Sequence, residues 1–154
     1  MADPAVREAI SRQARAWLEV NALVLDTETT GLGDDAEVVE LAVIDCAGAV
    51  LLDTLVRPSG PVPAEAAAIH GITDAMLADA PTWSEIHARF CDLVEGRQVV
   101  IYSREFDVRV INQTARRYGL QAPQGFDLVL DRGPIHCAMQ AYARFRGEWS
   151  EEKG

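Results

Sequence analysis

The sequence predicts an α/β layered fold, a mixed sheet with helices packed on it. Two short apolar runs, Leu23-Val24-Leu25 and QVVIY at 98–102, read as buried strands because both alternating faces are apolar. VVELAVID and AVLLDTLV, joined by Cys46-Ala47-Gly48, read as an antiparallel hairpin in which Gly48 supplies the turn geometry. Amphipathic helical patterns follow the hairpin and alternate with the remaining strands.

In chain order, residues 3–18 read as a peripheral helix, apolar at Ala5, Val6, Ala9, Ile10, Ala14, Trp17 and Leu18. The first strand covers 22–27 and the hairpin comes next. RPSGPVP is a loop fixed by three prolines. Pro63 opens a short helix, AEAAAIH, which Gly71 closes, and a single turn follows around Asp74 to Ala78. Thr82 to Glu85 is a T-x-x-E capping box, behind which Ile86, Phe90, Leu93 and Val94 form one apolar helical face. A helix over 105–118 is apolar at Phe106, Val110, Ile111 and Ala115 and ends at Gly119. FDLVLD reads as a last strand, residues 134–145 as a last helix, and GEWSEEKG as a frayed polar tail. The expected division is an N-terminal helix (1–19), one domain (20–147) and the tail (148–154).

The 154 residues suffice for one domain with a real core. No apolar run is long enough to span a bilayer, and the N-terminus lacks the apolar segment of a signal peptide, so no membrane role is expected. Three widely spaced cysteines favour reduced thiols and a cytoplasmic setting. The net charge of −10 argues against a simple basic DNA-binding module. An acidic chain can still handle a polyanion when divalent cations supply the local positive charge.

The first strand ends in VLDTETTGLG, with Asp26 and Glu28 two residues apart and so on one face. Two such carboxylates raise each other's pKa unless neutralised, and oxygen pairs of this kind are natural ligands for Mg²⁺ or Mn²⁺. Solvated loop acids are the plain alternative. A third acid, Asp107, falls in the first turn of the helix after Tyr102-Ser103, where it either favours the helix dipole or joins the first two. Arg109, Arg116 and Arg117 either meet phosphates or form a solvated helix face.

DTETTGL closely resembles the first motif of the DEDD-type (DEDDh-like) 3′-to-5′ exonucleases, which include the proofreading subunit of the bacterial replicative polymerase, DNA polymerase III. AIHGITDAML resembles the family's H-G-I-T-D segment, and VVIYSREFDVRVI its second motif, with Phe106-Asp107 in place but Ser103 where Asn is usual. The resemblance covers residues 20–147. It implies a ribonuclease H-like mixed five-stranded sheet flanked by helices, and phosphodiester hydrolysis with two divalent cations, Mg²⁺ or Mn²⁺. By resemblance Asp26 bridges both cations, Glu28 binds the one carrying the nucleophilic water and Asp107 holds the second. Backbone groups from Thr27 to Leu32, Thr29 and Gly31 among them, contact the 3′-terminal nucleotide of a single strand. Leu32 wedges against its base, and His70, Ser103 and Phe106 line the pocket.

The family's third motif, a His followed five residues later by Asp, is absent. His70 belongs to H-G-I-T, His87 to an amphipathic helix, and His136 has Ala141 five places on. Asp127 and Asp131 have no adjacent His or Tyr. The fold is thus expected to lack its last helical segment, as a truncated form, a natural short form or a chain completed by another. No general base is found, so weak or no activity is expected of these residues alone. A non-catalytic exonuclease-like module that binds nucleic acid or protein is the alternative. A sheet face left bare invites self-association or a polymerase partner, unless the N-terminal helix covers it.

Overall fold

A computed structural model describes residues 2–126 and 133–148. Five strands, β1 (Leu23–Thr29), β2 (Val38–Asp45), β3 (Val50–Leu55), β4 (Val99–Ile101) and β5 (Ile135–Cys137), form one sheet in the order β3-β2-β1-β4-β5. β1 runs antiparallel to β2, and β2 to β3, whereas β1–β4 and β4–β5 are parallel. The expected mixed sheet is therefore present. The hairpin turn is held by Asp45, whose side chain accepts from the backbone N–H of Ala47 and Ala49, with Gly48 at φ +90°.

The sheet has two unlike faces. Leu23, Leu25, Leu41, Val43, Leu52, Val99, Ile101 and Ile135 point into the core. There they meet α4 (Trp83–Val94) and α5 (Arg104–Arg117) through Trp83, Ile86, Phe90, Val108 and Ile111. Burial of these apolar side chains is the main stabilising term. Phe90 lies edge-on to both Trp83 and Phe126, a favoured aromatic geometry. The expected capping box is built: Glu85 Oε2 accepts from Thr82 N–H at 2.7 Å and from its hydroxyl at 2.8 Å. α2 (Ala64–His70) follows, and α3 (Asp74–Leu77) contributes Leu77 to a smaller cluster with Val39 and Ile72.

On the other face lie the strand residues that alternate with the core set, among them Val24, Asp26, Glu28, Glu40, Ala42 and Ile44. α1 (Pro4–Glu19) packs against α6 (Ala138–Arg146), with the Arg7 guanidinium 4.5 Å from the Phe145 ring centre and Trp17 against His136 on β5. The N-terminal helix thus sits by the β5 edge, and Val24, Ile44 and Val50 stay 37, 37 and 65% exposed. α1 starts where Asp3 Oδ1 accepts from Ala5 N–H at 2.8 Å with Pro4 in the first turn. Asp3→Ala should cost about 1 kcal/mol in urea unfolding; no loss at all would mean that α1 melts independently of the sheet.

One expectation fails. It is the helical reading of 134–137; the strand reading of FDLVLD falls on residues 127–131, Asp127 and Asp131 among them, which lie outside the described residues. The fifth strand among the described residues is Ile135–Cys137, inside the segment read as helix. Its three residues pair with Val99–Ile101, burying Ile135 and Cys137, and the helix begins only at Ala138. A three-residue strand is too short to show a period of two, and the apolar spacing of Met139, Tyr142 and Phe145 extended the helical reading backward.

Candidate active site

β1 outlasts its parallel neighbour. Pairing with β4 stops at Leu25↔Ile101, so Asp26 to Thr29 project beyond the β4 end, where the chain turns through Tyr102 and Ser103 into α5. Sites in α/β sheets form at such strand carboxyl ends. Asp26 is exposed and Glu28 half-buried on the same face. Between them Thr27 points the other way, into the protein, and its hydroxyl donates to Asp107 Oδ1 at 2.6 Å. This contact joins residues 80 apart in sequence and ties the start of α5 to the end of β1, close enough for the charge of Asp26 to act on Asp107. Sequence reasoning credited Thr27 with backbone contacts alone; the inward half of a D-T-E strand end was the available signal.

Asp107 is only 4% exposed. Burial first, and the charge of Asp26 second among the unfavourable causes, push its carboxyl up to about 6, against the opposing pull of the Thr27 hydroxyl. Glu40 was not foreseen. It sits directly across from Glu28 in the β1–β2 ladder, and like charges so placed repel. Burial, then Asp53 and Glu28, raise its pKa, while His70 lowers it. The ladder slips just here: Glu28 faces Glu40, but Thr29 faces Val38, a bulge of the kind that re-aims side chains near sites.

The turn after β1 is closely tied. Thr29 donates to the Gly31 carbonyl, Thr30 N–H to the Glu37 carbonyl, and Glu37 N–H to the Thr30 hydroxyl. Leu32 stands 78% exposed at its tip. His70, at the end of α2, accepts from Ile72 N–H through Nδ1 at 3.0 Å, which leaves the proton on Nε2, 3.2 Å from the Thr29 carbonyl. Ser103, Glu105, Phe106 and Arg109 line a shallow recess at the start of α5. Of the three arginines left open by the sequence, Arg116 is exposed and the other two are bonded. Arg109 bonds the carbonyls of Leu32 and Gly33, and Arg117 binds the buried Glu37 carboxylate and the Ser59 hydroxyl. Both are thus engaged with the protein itself.

Asp26, Glu28 and Asp107 supply hard oxygen donors suited to Mg²⁺ or Mn²⁺. The raised pKa of Asp107 comes first from its burial and then from the nearby Asp26 carboxylate, and a cation held beside it would oppose both. The set is open, however. One oxygen of Asp107 is taken by Thr27, and among the described residues no three His, Cys, Asp or Glu side chains are grouped so as to hold a metal ion. No described helix is long and apolar enough to cross a membrane.

The five-stranded mixed sheet with helices packed on it is a ribonuclease H-like frame. Residues 23–148 match the family profile described as exonuclease (RNase_T). Exonuclease CP81 of Escherichia phage 186, itself described as uncharacterized, is 51% identical over 145 residues, which are 94% of this chain and 74% of the phage protein. The DNA polymerase III epsilon subunit of Escherichia coli K12 is 31% identical over 96 residues, 56% of this chain and 40% of that one. The chain therefore belongs to the exonuclease family, and its polymerase III relatives extend well beyond the shared region. Among solved structures, the metal-free E. coli exonuclease I complex with single-stranded DNA shares the fold at a TM-score of 0.64 and 20% identity, over 84% of this chain and 32% of that one.

Proposed function

We propose that this chain carries the carboxylate part of a two-cation site that hydrolyses the 3′-terminal phosphodiester bond of a nucleic-acid strand. The observation behind this is the Thr27–Asp107 bond, which brings a distant acid to the strand end bearing Asp26 and Glu28. These three side chains would hold Mg²⁺ or Mn²⁺. Such cations, when bound, generate the attacking hydroxide and stabilise the attacking and leaving oxygens. The protein's own share is to hold the acids and orient the strand. Leu32, exposed beside the turn, offers an apolar face to the terminal base, and Phe106 and Ser103 border the recess next to it. His70 steadies the turn through the Thr29 carbonyl. The overall acidity then presents no obstacle, because cations held by acids attract the strand. The names of the polymerase III relatives support a polymerase as a partner of the whole protein.

Mn²⁺ titration read by thermal unfolding tests the cation site. The wild-type melting temperature should rise with Mn²⁺ as the native state binds it, and Asp26→Asn should abolish the rise. An equal rise in Asp26→Asn would remove Asp26 from the cation site and the reading with it.

A second reading, a binding module without catalysis, has an observation of its own. Neither ring nitrogen of His70 is free, and His136 lies on β5, two strands from β1. His87 lies on α4 in the helix layer, and on this reading none of the three histidines takes the water-activating role. Asp26, Glu28 and Asp107 together favour the nuclease reading for the domain.

A further inference from the structure

The helix that presents Asp107 also grips the turn that presents Leu32. Two turns of α5 supply the grip. Arg109 Nη2 donates to the Leu32 carbonyl at 3.0 Å, and Nη1 donates to the Gly33 carbonyl at 3.3 Å. Nη1 also meets Gln113 Oε1 at 2.9 Å and lies 3.5 Å from Asp34. Gln113 then uses its own amide to reach the Gly33 and Ala36 carbonyls, each at 3.2 Å. The Arg109 guanidinium completes the set by lying 5.5 Å from the Phe106 ring centre. Three carbonyls of the turn, those of Leu32, Gly33 and Ala36, are therefore pinned by one arginine–glutamine pair.

We propose that Arg109 and Gln113 are positioning residues that lock Leu32 relative to Asp107, so that the terminal base and the scissile phosphate are placed by one rigid unit. This rests on the exonuclease reading above. An exposed leucine on a free turn samples many orientations, and holding it in one reduces the ordering that binding otherwise requires. The fork of the guanidinium is what the geometry uses. Two carbonyls and an amide oxygen are bonded through Nη1 and Nη2, which a lysine ammonium on a flexible stem cannot reproduce. Most of the group's donors on that side are committed to the protein, so its charge is not spent on a phosphate.

The test uses a single-stranded oligonucleotide with 2-aminopurine as its 3′-terminal base, bound to the 154-residue chain in Mn²⁺ and read by fluorescence. Arg109→Ala and Arg109→Lys should both weaken binding about tenfold and reduce the signal change of the terminal base, an effect the size of one well-placed contact. Neither should alter the Mn²⁺ thermal shift, which also shows that the variants fold. In a Leu32→Ala background, Arg109→Ala should add little further loss, because both act through the same contact. Gln113→Ala should show a smaller loss of the same pattern. Wild-type affinity in Arg109→Lys would mean that the side chain acts by charge on a phosphate, and would overturn the proposal. So would full affinity in Arg109→Ala, or an undiminished loss in the Leu32→Ala background. A wild-type chain that shows a Mn²⁺ shift but ignores the oligonucleotide would instead overturn the exonuclease reading, and this inference with it.

Discussion

A preparation of these 154 residues should release 3′ nucleotides from a single strand at least ~10²-fold more slowly than the E. coli polymerase III epsilon subunit assayed beside it in Mn²⁺. General-base catalysis is worth about 10²–10⁴-fold, and each of the three histidines already contacts another group of the fold. His70 uses Nδ1 to accept from Ile72 and directs Nε2 at the Thr29 carbonyl. His87 lies on α4 with its Nε2 3.5 Å from the Cys91 sulfur and its ring beside Trp83. Burial lowers its pKa, and it is set in the helix layer rather than at the strand end. His136 is bonded to Gln98 and tilted against Trp17. Replacing His70 should accordingly not behave as removal of a base. His70→Ala should weaken strand binding by loosening the turn, without changing the pH profile of any residual hydrolysis. Release of nucleotides at the epsilon subunit's rate, abolished by Asp26→Asn, would show that another group activates the water and would sink the prediction.

The acids were legible and their support was not. D-x-E at a strand end announces two carboxylates on one face, because side chains alternate along a strand whatever surrounds it. Asp107 could be placed in a first helical turn from the Phe106-Asp107 step and the apolar spacing behind it. Nothing local could say that Thr27 reaches across to it, because that contact depends on β4 ending before β1 does. Glu40 escaped notice for a similar reason. Its apolar neighbours mark it as a strand residue, but facing Glu28 is a matter of register, set by the turn and the bulge. The arginines show the same limit from the other side. A helical wheel places Arg109 and Arg117 on the solvated side of α5, yet the turns they bond arrive from residues 32–33 and 59, far away in the chain. Local periodicity thus specified most elements, from the capped α4 to the β2–β3 hairpin, and failed at β5, where three residues are held by tertiary pairing alone.

Asp107→Asn should make the cation-free protein more stable at pH 8 by about 3 kcal/mol, since each unit of pKa displacement corresponds to about 1.4 kcal/mol. The ordinary value of the carboxyl is 3.8 and the fold raises it to about 6. A raised acid pKa means that the folded state favours the protonated form. Its contribution is fully present below the unfolded value near 3.8 and is lost as the pH climbs through about 6. At pH 8 the wild-type protein therefore folds with a buried charge beside Asp26, which the asparagine removes. Asparagine keeps an oxygen to accept from Thr27, so the bond that holds the side chain survives. At pH 5 the advantage should fall to about half, because the wild-type carboxyl is then largely protonated when folded while still ionised when unfolded. Urea unfolding of both proteins from pH 5 to pH 8 reads this directly. Adding Mn²⁺ at pH 8 should reverse the order: the cation compensates the charge of Asp107 in the wild type and finds one ligand fewer in the variant. A variant less stable than wild type by the same margin at both pH values would show that Asp107 is a structural anchor whose charge the fold does not oppose. The buried acid would then need no cation to explain it.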